Sequence, residues 1–140
     1  MNKTVLVAAL AVLALLPTAP AMADSRRDSI LADLLAQAQR ENPSLTGFAA
    51  ERGEMLFRAQ KGGGKPDTPS CTTCHGETPQ TAGETRAGKP IDPIAVSAAP
   101  KRFTDPAEVD KWFGRNCNSV LGRECTATEK GDFITFMMGQ

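Results

Sequence analysis

The feature that most constrains this chain is residues 71–75, which read Cys-Thr-Thr-Cys-His. One helical turn between the cysteines puts both sulfur atoms on one side of the backbone, with the histidine ring beside them. In an exported protein this spacing is typical of covalent haem attachment. The thiols of Cys71 and Cys74 then bond to the haem, and His75 is the proximal iron ligand. A redox dithiol and a zinc site are the alternatives, but the first needs no histidine and the second needs further ligands.

The N-terminal sequence predicts export. Lys3 precedes an unbroken apolar run over residues 5–16, which is short for a bilayer span, and Ala21-Met22-Ala23 is typical of a signal peptidase site. We expect residues 1–23 to be a cleaved signal peptide and residues 24–140 to form a single periplasmic domain without a membrane span. A retained membrane anchor is the alternative.

The composition limits both the core and the partners. Sixteen basic residues balance 16 acidic ones, which argues against nucleic-acid binding. With six Phe, one Trp and no Tyr, the apolar core is thin. Small domains of this kind usually need a disulfide, a metal or a cofactor, and a covalent haem would fill that need. Because the attachment motif occurs once, one haem c is expected.

Apolar periodicity and helix-start signals predict four helices and no strand, so the expected fold is all-α. The expected helices cover residues 24–42, with Asp28 or Ser29 as N-cap; residues 46–60; a segment capped by Asp105 and ending at Gly114; and a segment capped by Thr126 and ending at Gly139. Gly53, inside the second helix, indicates either a close helix crossing or simple tolerance of a glycine. Residues 61–70 are expected to form a loop, and the proline-rich residues 76–100 a non-helical wrap around the haem.

The sequence offers few candidates for the sixth iron ligand. His75 is the only histidine, and residues 76–125 contain no methionine. The methionines beyond the predicted signal peptide are Met55, Met137 and Met138, and they fit core packing better than ligation. The distal position is therefore left open or held by a weak ligand, and residues 114–118 contribute two carboxamides.

The remaining two cysteines, Cys117 and Cys125, close a loop of about nine residues. An intramolecular disulfide there would contribute roughly 2–3 kcal/mol. Free thiols and an intermolecular bridge are the alternatives, and a redox role for the bridge is a further hypothesis.

Two segments on either side of the haem motif carry a family resemblance. Residues 64–70 read GKPDTPS, and residues 102–125 read RFTDPAEVDKWFGRNCNSVLGREC. Over residues 51–139 the chain resembles the sphaeroides haem proteins, which are small oxygen-binding cytochromes c. The resemblance implies a class I cytochrome c-like fold with long loops around one covalent haem, and a bridge between Cys117 and Cys125.

The same resemblance assigns the distal side of the iron. It implies that Asn116 ligates ferric iron and leaves on reduction, so that the ferrous haem binds oxygen or nitric oxide. Asn118 is the alternative ligand. Its other expected role is to form a turn or to supply a polar group on the distal side of the haem. Family partners are a dihaem cytochrome c as electron donor and a membrane cytochrome b further upstream.

Trp112 precedes these residues and is a candidate either for a haem-propionate contact or for the core. Lys111, Arg115 and Arg123 are candidates for propionate pairing, partner docking or ordinary solvated charge. The expected function is reduction-gated binding of a diatomic molecule. An ordinary low-potential electron carrier, and a sensor or scavenger without turnover, are the alternatives. The sequence leaves open whether the protein is an enzyme, for example an oxygen or nitric oxide reductase or dioxygenase.

Overall fold

The computed structural model describes residues 19–60 and 63–140. The helices are α1 (Ala19–Glu41), α2 (Ala50–Arg58), α3 (Thr72–His75), α4 (Pro106–Leu121) and α5 (Ala127–Met138). Between α3 and α4, strands β1 (Gly83–Glu84) and β2 (Pro90–Ile91) form a small antiparallel hairpin, with Gly83 opposite Ile91. The all-α prediction is confirmed. The expectation of no strand is wrong only for this hairpin, which is too short to show an alternating pattern.

Helix α1 starts further upstream than predicted. Asp28 and Ser29 lie inside the helix and are exposed, so neither is its N-cap. Pro20 is tolerated in a first turn, and no breaker follows it to end the helix before Asp28. The helix stops at Glu41, before Pro43 as predicted. Across the parts of the chain that the structure describes, no helix is long and apolar enough to span a membrane.

The predicted signal peptide stays a prediction. Its apolar run, residues 5–16, lies outside the described residues, and α1 already includes the expected cleavage site at residues 21–23.

Helices α2 and α5 cross closely at Gly53, which confirms the crossing interpretation. A side chain on Gly53 would collide with the backbone carbonyl of Asp132 and would lie 2.8 Å from Cβ of Phe136. Helix α2 is shorter than the predicted residues 46–60. Its N-terminal neighbour Ala49 is extended and donates its N–H to Oδ1 of Asp132 at 2.7 Å, and Ala59 is extended at the other end.

Helix α4 runs through Gly114, where the sequence predicted its end. Asp105 caps the start as predicted, accepting from the N–H groups of Ala107 and Glu108. Gly114 keeps helical geometry, and the helix ends instead at Gly122, whose left-handed φ of 69° suits a glycine C-cap. Asn116 and the residues around it are therefore helical. At α5 the predicted capping box is confirmed, with Thr126 and Glu129 bonded reciprocally.

Two apolar clusters form the core. One joins α1, α4 and α5 through residues such as Ile30, Phe113 and Ile134. The other contains Phe57, Ile94, Phe136 and Met137, with Cys71 of the haem motif packed against it. The α2–α5 crossing therefore supports the motif directly.

The methionines divide between core and surface. Met137 is fully buried, which fits the packing expectation. That expectation is wrong for Met55, which is 63% exposed, and for Met138, which is 39% exposed. Met55 lies two residues from both buried positions of α2, Gly53 and Phe57, and so points away from α5.

Candidate haem site

The haem motif forms a single tight helical turn. The N–H of His75 donates to the carbonyl of Cys71 at 3.1 Å, and the C-cap after α3 is Gly76, whose φ is 68°. Cys71 and Cys74 are both half-buried. Ser70, directly before the motif, is buried, and its Oγ lies 2.6 Å from Oγ1 of Thr72. This turn presents two sulfur atoms and an imidazole together, which is the donor set that covalent haem attachment needs.

The β1–β2 hairpin packs directly against this turn. A side chain at Gly83 would collide with the carbonyl oxygen of Cys74 and would lie 2.9 Å from Cα of His75. Only a glycine permits so close a backbone approach. The proline-rich segment thus closes one side of the motif, as a wrap around a bound group requires.

His75 is held in the form that binds a metal. Burial, and to a smaller extent the positive charge of Arg102, lower its pKa to about 4. At neutral pH the imidazole is therefore uncharged, and one ring nitrogen offers a lone pair. Within residues 19–60 and 63–140, no group of three or more His, Cys, Asp or Glu side chains is placed to hold a metal ion. The residues present fit haem c.

Residues 92–102 form an irregular loop that carries Arg102. The Arg102 guanidinium donates from Nε to the carbonyl of Pro93 at 2.9 Å and from Nη2 to that of Asp92 at 2.8 Å. The N–H groups of Ile94 and Ala95 both donate to the carbonyl of Pro79 at 3.0 Å. These bonds tie the two ends of the loop to each other and its start to Pro79, in the segment that leaves the haem motif.

Helix α1 fastens the same loop from outside. Arg27 is 1% exposed and donates to the carbonyls of Pro100 at 2.8 Å and Arg102 at 3.2 Å. It also pairs with Asp24 at 2.8 Å. Sequence reasoning missed both Arg27 and Arg102, because neither sits in a motif and an isolated arginine in a helix or loop is usually solvated.

The loop that enters the haem motif is bonded to one face of α4. The Lys65 N–H donates to the carbonyl of Ser119 at 2.7 Å, and Oγ1 of Thr68 lies 2.9 Å from Oγ of Ser119. Asn116 precedes Ser119 by three residues and so shares its side of the helix. The structure thereby places the predicted ligand on the α4 face that adjoins the approach to Cys71.

The two carboxamides of α4 have different surroundings. Both side chains are exposed, but Nδ2 of Asn118 donates to the carbonyl of Gly114 at 2.7 Å, one turn back along the helix. Asn118 therefore does not form a turn, contrary to one of its expected roles. The Asn116 carboxamide makes no hydrogen bond within the described parts of the chain.

A disulfide next to Asn116 links Cys117, near the end of α4, to Cys125, just before α5. The Sγ atoms of Cys117 and Cys125 are 1.98 Å apart, with their Cα atoms 5.6 Å apart. Both residues are buried in the core cluster that α1 shares. The bridge holds the last turn of α4 across the short connection to α5.

Trp112 is 44% exposed, so the core interpretation of this residue is wrong. It lies one turn before Asn116, on the same side of α4. Its indole N–H donates to Oε2 of Glu108 at 2.7 Å, and the cationic groups of Lys111 and Arg115 lie 5.1 and 5.2 Å from the indole ring. The propionate contact stays a prediction.

The other candidate cations bond to neighbours within the chain. Lys111 pairs with Glu108 at 2.8 Å, and Arg123 pairs with Glu129 at 2.7 Å. Arg115 is exposed. These positions fit surface charge that a partner protein can contact.

Comparison with known proteins identifies the family. A family model described as a domain of unknown function, DUF1924, matches residues 43–137. The cytochrome c-type protein SHP of Cereibacter sphaeroides is 60% identical over 91 residues, covering 65% of this chain and 70% of that protein. The chain belongs to the sphaeroides haem protein (SHP) family. Membership of this cytochrome c family implies covalently bound haem c.

Solved structures agree with the family and its fold. The structure of oxidized SHP, described as an oxygen-binding cytochrome c, superposes with a TM-score of 0.75 at 51% identity, covering 81% of this chain and 96% of that one. Oxidized cytochrome c'' from Methylophilus methylotrophus gives a TM-score of 0.69 at 27% identity, covering 83% and 95%. The all-α cytochrome fold is thus shared across the SHP relatives.

Proposed function

We propose that this SHP-family protein carries one haem c whose distal ligand, Asn116, is bound in the ferric state and released on reduction. The ferrous haem then binds oxygen or nitric oxide. The observation that carries this proposal is the placement of Asn116 on the α4 face whose Ser119 holds the loop entering the haem motif. The family relationship to an oxygen-binding cytochrome c supports it.

His75 and Asn116 have complementary roles in this mechanism. When bound, haem c supplies an iron that changes oxidation state and accepts a diatomic ligand. His75 holds the proximal side with a neutral imidazole. The Asn116 carboxamide oxygen is a hard donor and binds ferric iron better than ferrous iron. That difference in affinity couples reduction to release of Asn116, and it sets the size of the coupling.

The surroundings of Asn116 suit a ligand that must bind to the iron in one oxidation state and dissociate in the other. Its carboxamide has no hydrogen bond in the described chain, so no protein group there would compete with the iron for it. The backbone behind it stays fixed, because Cys117 is bonded to Cys125 and Ser119 is bonded to Lys65. Release is therefore a side-chain movement.

The test compares Asn116→Ala with the matched control Asn118→Ala in the haem-loaded protein. Visible and EPR spectra of ferric Asn116→Ala should lose the six-coordinate low-spin signature, and those of Asn118→Ala should keep it. If Asn118→Ala alone loses the signature, the ligand assignment is wrong. If the wild-type ferrous protein stays six-coordinate and does not bind carbon monoxide, the proposal of reduction-gated binding is wrong. An ordinary low-potential electron carrier is then favoured.

Turnover is tested separately. The ferrous oxygen-exposed protein, supplied with reductant, should consume nitric oxide repeatedly if it acts as an enzyme. Consumption of one equivalent supports a scavenger or sensor.

We further propose export to the periplasm and electron delivery by a dihaem cytochrome c. The apolar run at residues 5–16 supports export, and the exposed cations around Trp112, beside Asn116, support docking of an acidic partner surface. Cell fractionation tests the first. For the second, Arg115→Glu should slow reduction by the dihaem donor at low ionic strength. Arg26→Glu is the control, because Arg26 is an exposed residue of α1.

A further inference from the structure

Residues 63–70 lead into the haem motif, and the first two of them touch α4 backbone to backbone. A side chain on Gly64 would collide with the carbonyl oxygen of Ser119 and would lie 2.7 Å from its carbonyl carbon. A side chain on Gly63 would collide with the carbonyl oxygen of Leu121 and would lie 3.2 Å from its carbonyl carbon. Carbon atoms in ordinary contact are about 3.5–4.0 Å apart, so only glycine permits this approach.

The glycine that caps α4 completes the contact from the helix side. Gly122 has a φ of 69°, and a side chain on it would collide with the carbonyl oxygen of Gly63 and would lie 2.8 Å from its carbonyl carbon. Neither Gly63 nor Gly64 adopts a left-handed φ. Glycine at these two positions is therefore explained by the close approach to α4 rather than by backbone conformation.

Hydrogen bonds fasten the same segment at both ends. The Lys65 N–H donates to the carbonyl of Ser119 at 2.7 Å. Buried Thr68 donates from Oγ1 to that carbonyl at 3.1 Å, and its Oγ1 lies 2.9 Å from Oγ of Ser119. At the other end, the Thr73 N–H donates to the carbonyl of Ser70 at 3.3 Å. Residues 63–70 thus connect α4 to the haem motif through bonded contacts.

We propose that this contact between residues 63–70 and α4 positions Asn116 for binding to ferric haem iron. Its positioning residues are Gly63, Gly64 and Thr68. The proposal rests on Asn116 as the ferric ligand and deepens the proposed function.

The argument depends on the distance between two backbones. Covalent attachment fixes a haem to the motif, whereas Asn116 belongs to α4, one turn before Ser119. The spacing of α4 from the segment that enters the motif therefore decides how far the carboxamide reaches. Groups of a binding site must be held within about 0.5 Å of their working position. A Cβ at Gly64 would push the two backbones about 1 Å apart, which exceeds that tolerance.

The experiment titrates haem-loaded Gly64→Ala with azide in the ferric state and with carbon monoxide in the ferrous state, followed by visible spectra. Azide must displace Asn116, so its apparent affinity rises by the factor by which Asn116 binding weakens. Carbon monoxide binds after reduction has released Asn116, so its affinity does not depend on the position of the carboxamide.

Two glycine variants are matched controls. Gly47→Ala changes a loop glycine whose added Cβ would have no atom of the described chain within 4 Å. Gly131→Ala controls for lost stability, because its methyl group would collide with the ring of Phe48 instead of α4 backbone. Both should keep the wild-type affinities for azide and carbon monoxide.

Ferric Gly64→Ala should bind azide roughly tenfold more tightly than wild type, as expected when a group that orients an iron ligand is disturbed. Its EPR spectrum should gain a high-spin component, and its carbon monoxide affinity should stay unchanged. An azide affinity equal to or below that of wild type would overturn the proposal. So would azide and carbon monoxide affinities that rise together, because the whole site would then have opened.

A second pair of variants decides the matter if Gly64→Ala does not bind haem. Thr68→Val removes the hydroxyl that contacts Ser119, and Thr68→Ser keeps it. Tighter azide binding by Thr68→Val than by Thr68→Ser supports the proposal. Equal binding, or loss of haem from Thr68→Val as well, assigns residues 63–70 to folding instead.

Asn116→Ala is measured alongside to separate this inference from the function on which it rests. If Asn116→Ala keeps the wild-type azide affinity, Asn116 is not the ferric ligand and the proposed function is wrong. If Asn116→Ala binds azide more tightly but Gly64→Ala does not, only the positioning role is wrong.

Discussion

Replacing Gly53 by alanine tests the helix crossing that supports the haem motif. The new methyl carbon would lie 2.6 Å from the carbonyl carbon of Asp132 and 2.8 Å from Cβ of Phe136. Packed carbon atoms prefer about 3.5–4.0 Å, so α2 and α5 would have to separate by about 1 Å. Because the obstacle is helix backbone, it cannot move aside as a flexible side chain would.

The expected cost follows from two opposing effects. Overpacking a core costs roughly 1–3 kcal/mol, and a collision with backbone belongs at the upper end. Alanine recovers up to about 1 kcal/mol in helix propensity. We therefore expect Gly53→Ala to lower the free energy of unfolding by about 2 kcal/mol.

Gly114→Ala is the matched control, because Gly114 is also inside a helix but has no atom within 4 Å of an added Cβ. It should be neutral or stabilise the protein by up to about 1 kcal/mol. Urea unfolding of the ferric haem-loaded proteins, followed by circular dichroism, measures both. A Gly53→Ala midpoint equal to or above that of wild type would refute the packing argument.

Two further predictions concern the connection between α4 and α5. Replacing Cys117 and Cys125 together by serine opens a loop with a sequence separation of 8. This should lower the free energy of unfolding by about 2.5 kcal/mol, measured by the same urea titration. A change below about 1 kcal/mol would show that the bridge does not constrain the unfolded chain as assumed. The ion pair with Arg123 and the capping bonds to Thr126 hold the pKa of Glu129 below its ordinary value of 4.5. Because the folded pKa is the lower one, this stabilisation is present above pH 4.5 and is lost as the pH falls through the lowered value. Glu129→Gln should therefore flatten the acid side of the stability profile, and an unchanged acid slope would contradict the assignment.

Helix signals in the sequence were informative where the cause was local. The Thr126 capping box and the Asp105 cap both appear in the structure, because a cap depends on residues within one turn. The predicted helix end at Gly114 was wrong, since a glycine in a helix can be tolerated when the next turns are held by packing. Phe113 and Cys117, on either side of it, are both buried in the core.

The site shows the same division between local and long-range causes. The attachment motif, residues 71–75, is contiguous, so its spacing alone indicated the cofactor. The roles of Arg27 and Arg102 could not be predicted in this way. The carbonyls that Arg27 contacts lie 73 and 75 residues away in the chain. Those that Arg102 contacts lie 9 and 10 residues away, across an irregular loop. Without a repeat or a motif, only the folded chain brings such residues together.

The sequence by itself indicated covalent haem c, predicted His75 as the proximal ligand and showed how few distal ligands are available, because these depend on which residues are present and on spacings within one turn. Tertiary structure alone decided that the α4 face of Asn116 and Ser119 is bonded to the loop before Cys71, and that Arg102 is held by the carbonyls of Pro93 and Asp92. The physical reason is that side-chain identity is local, whereas the environment that tunes an iron ligand is assembled from segments far apart in the chain.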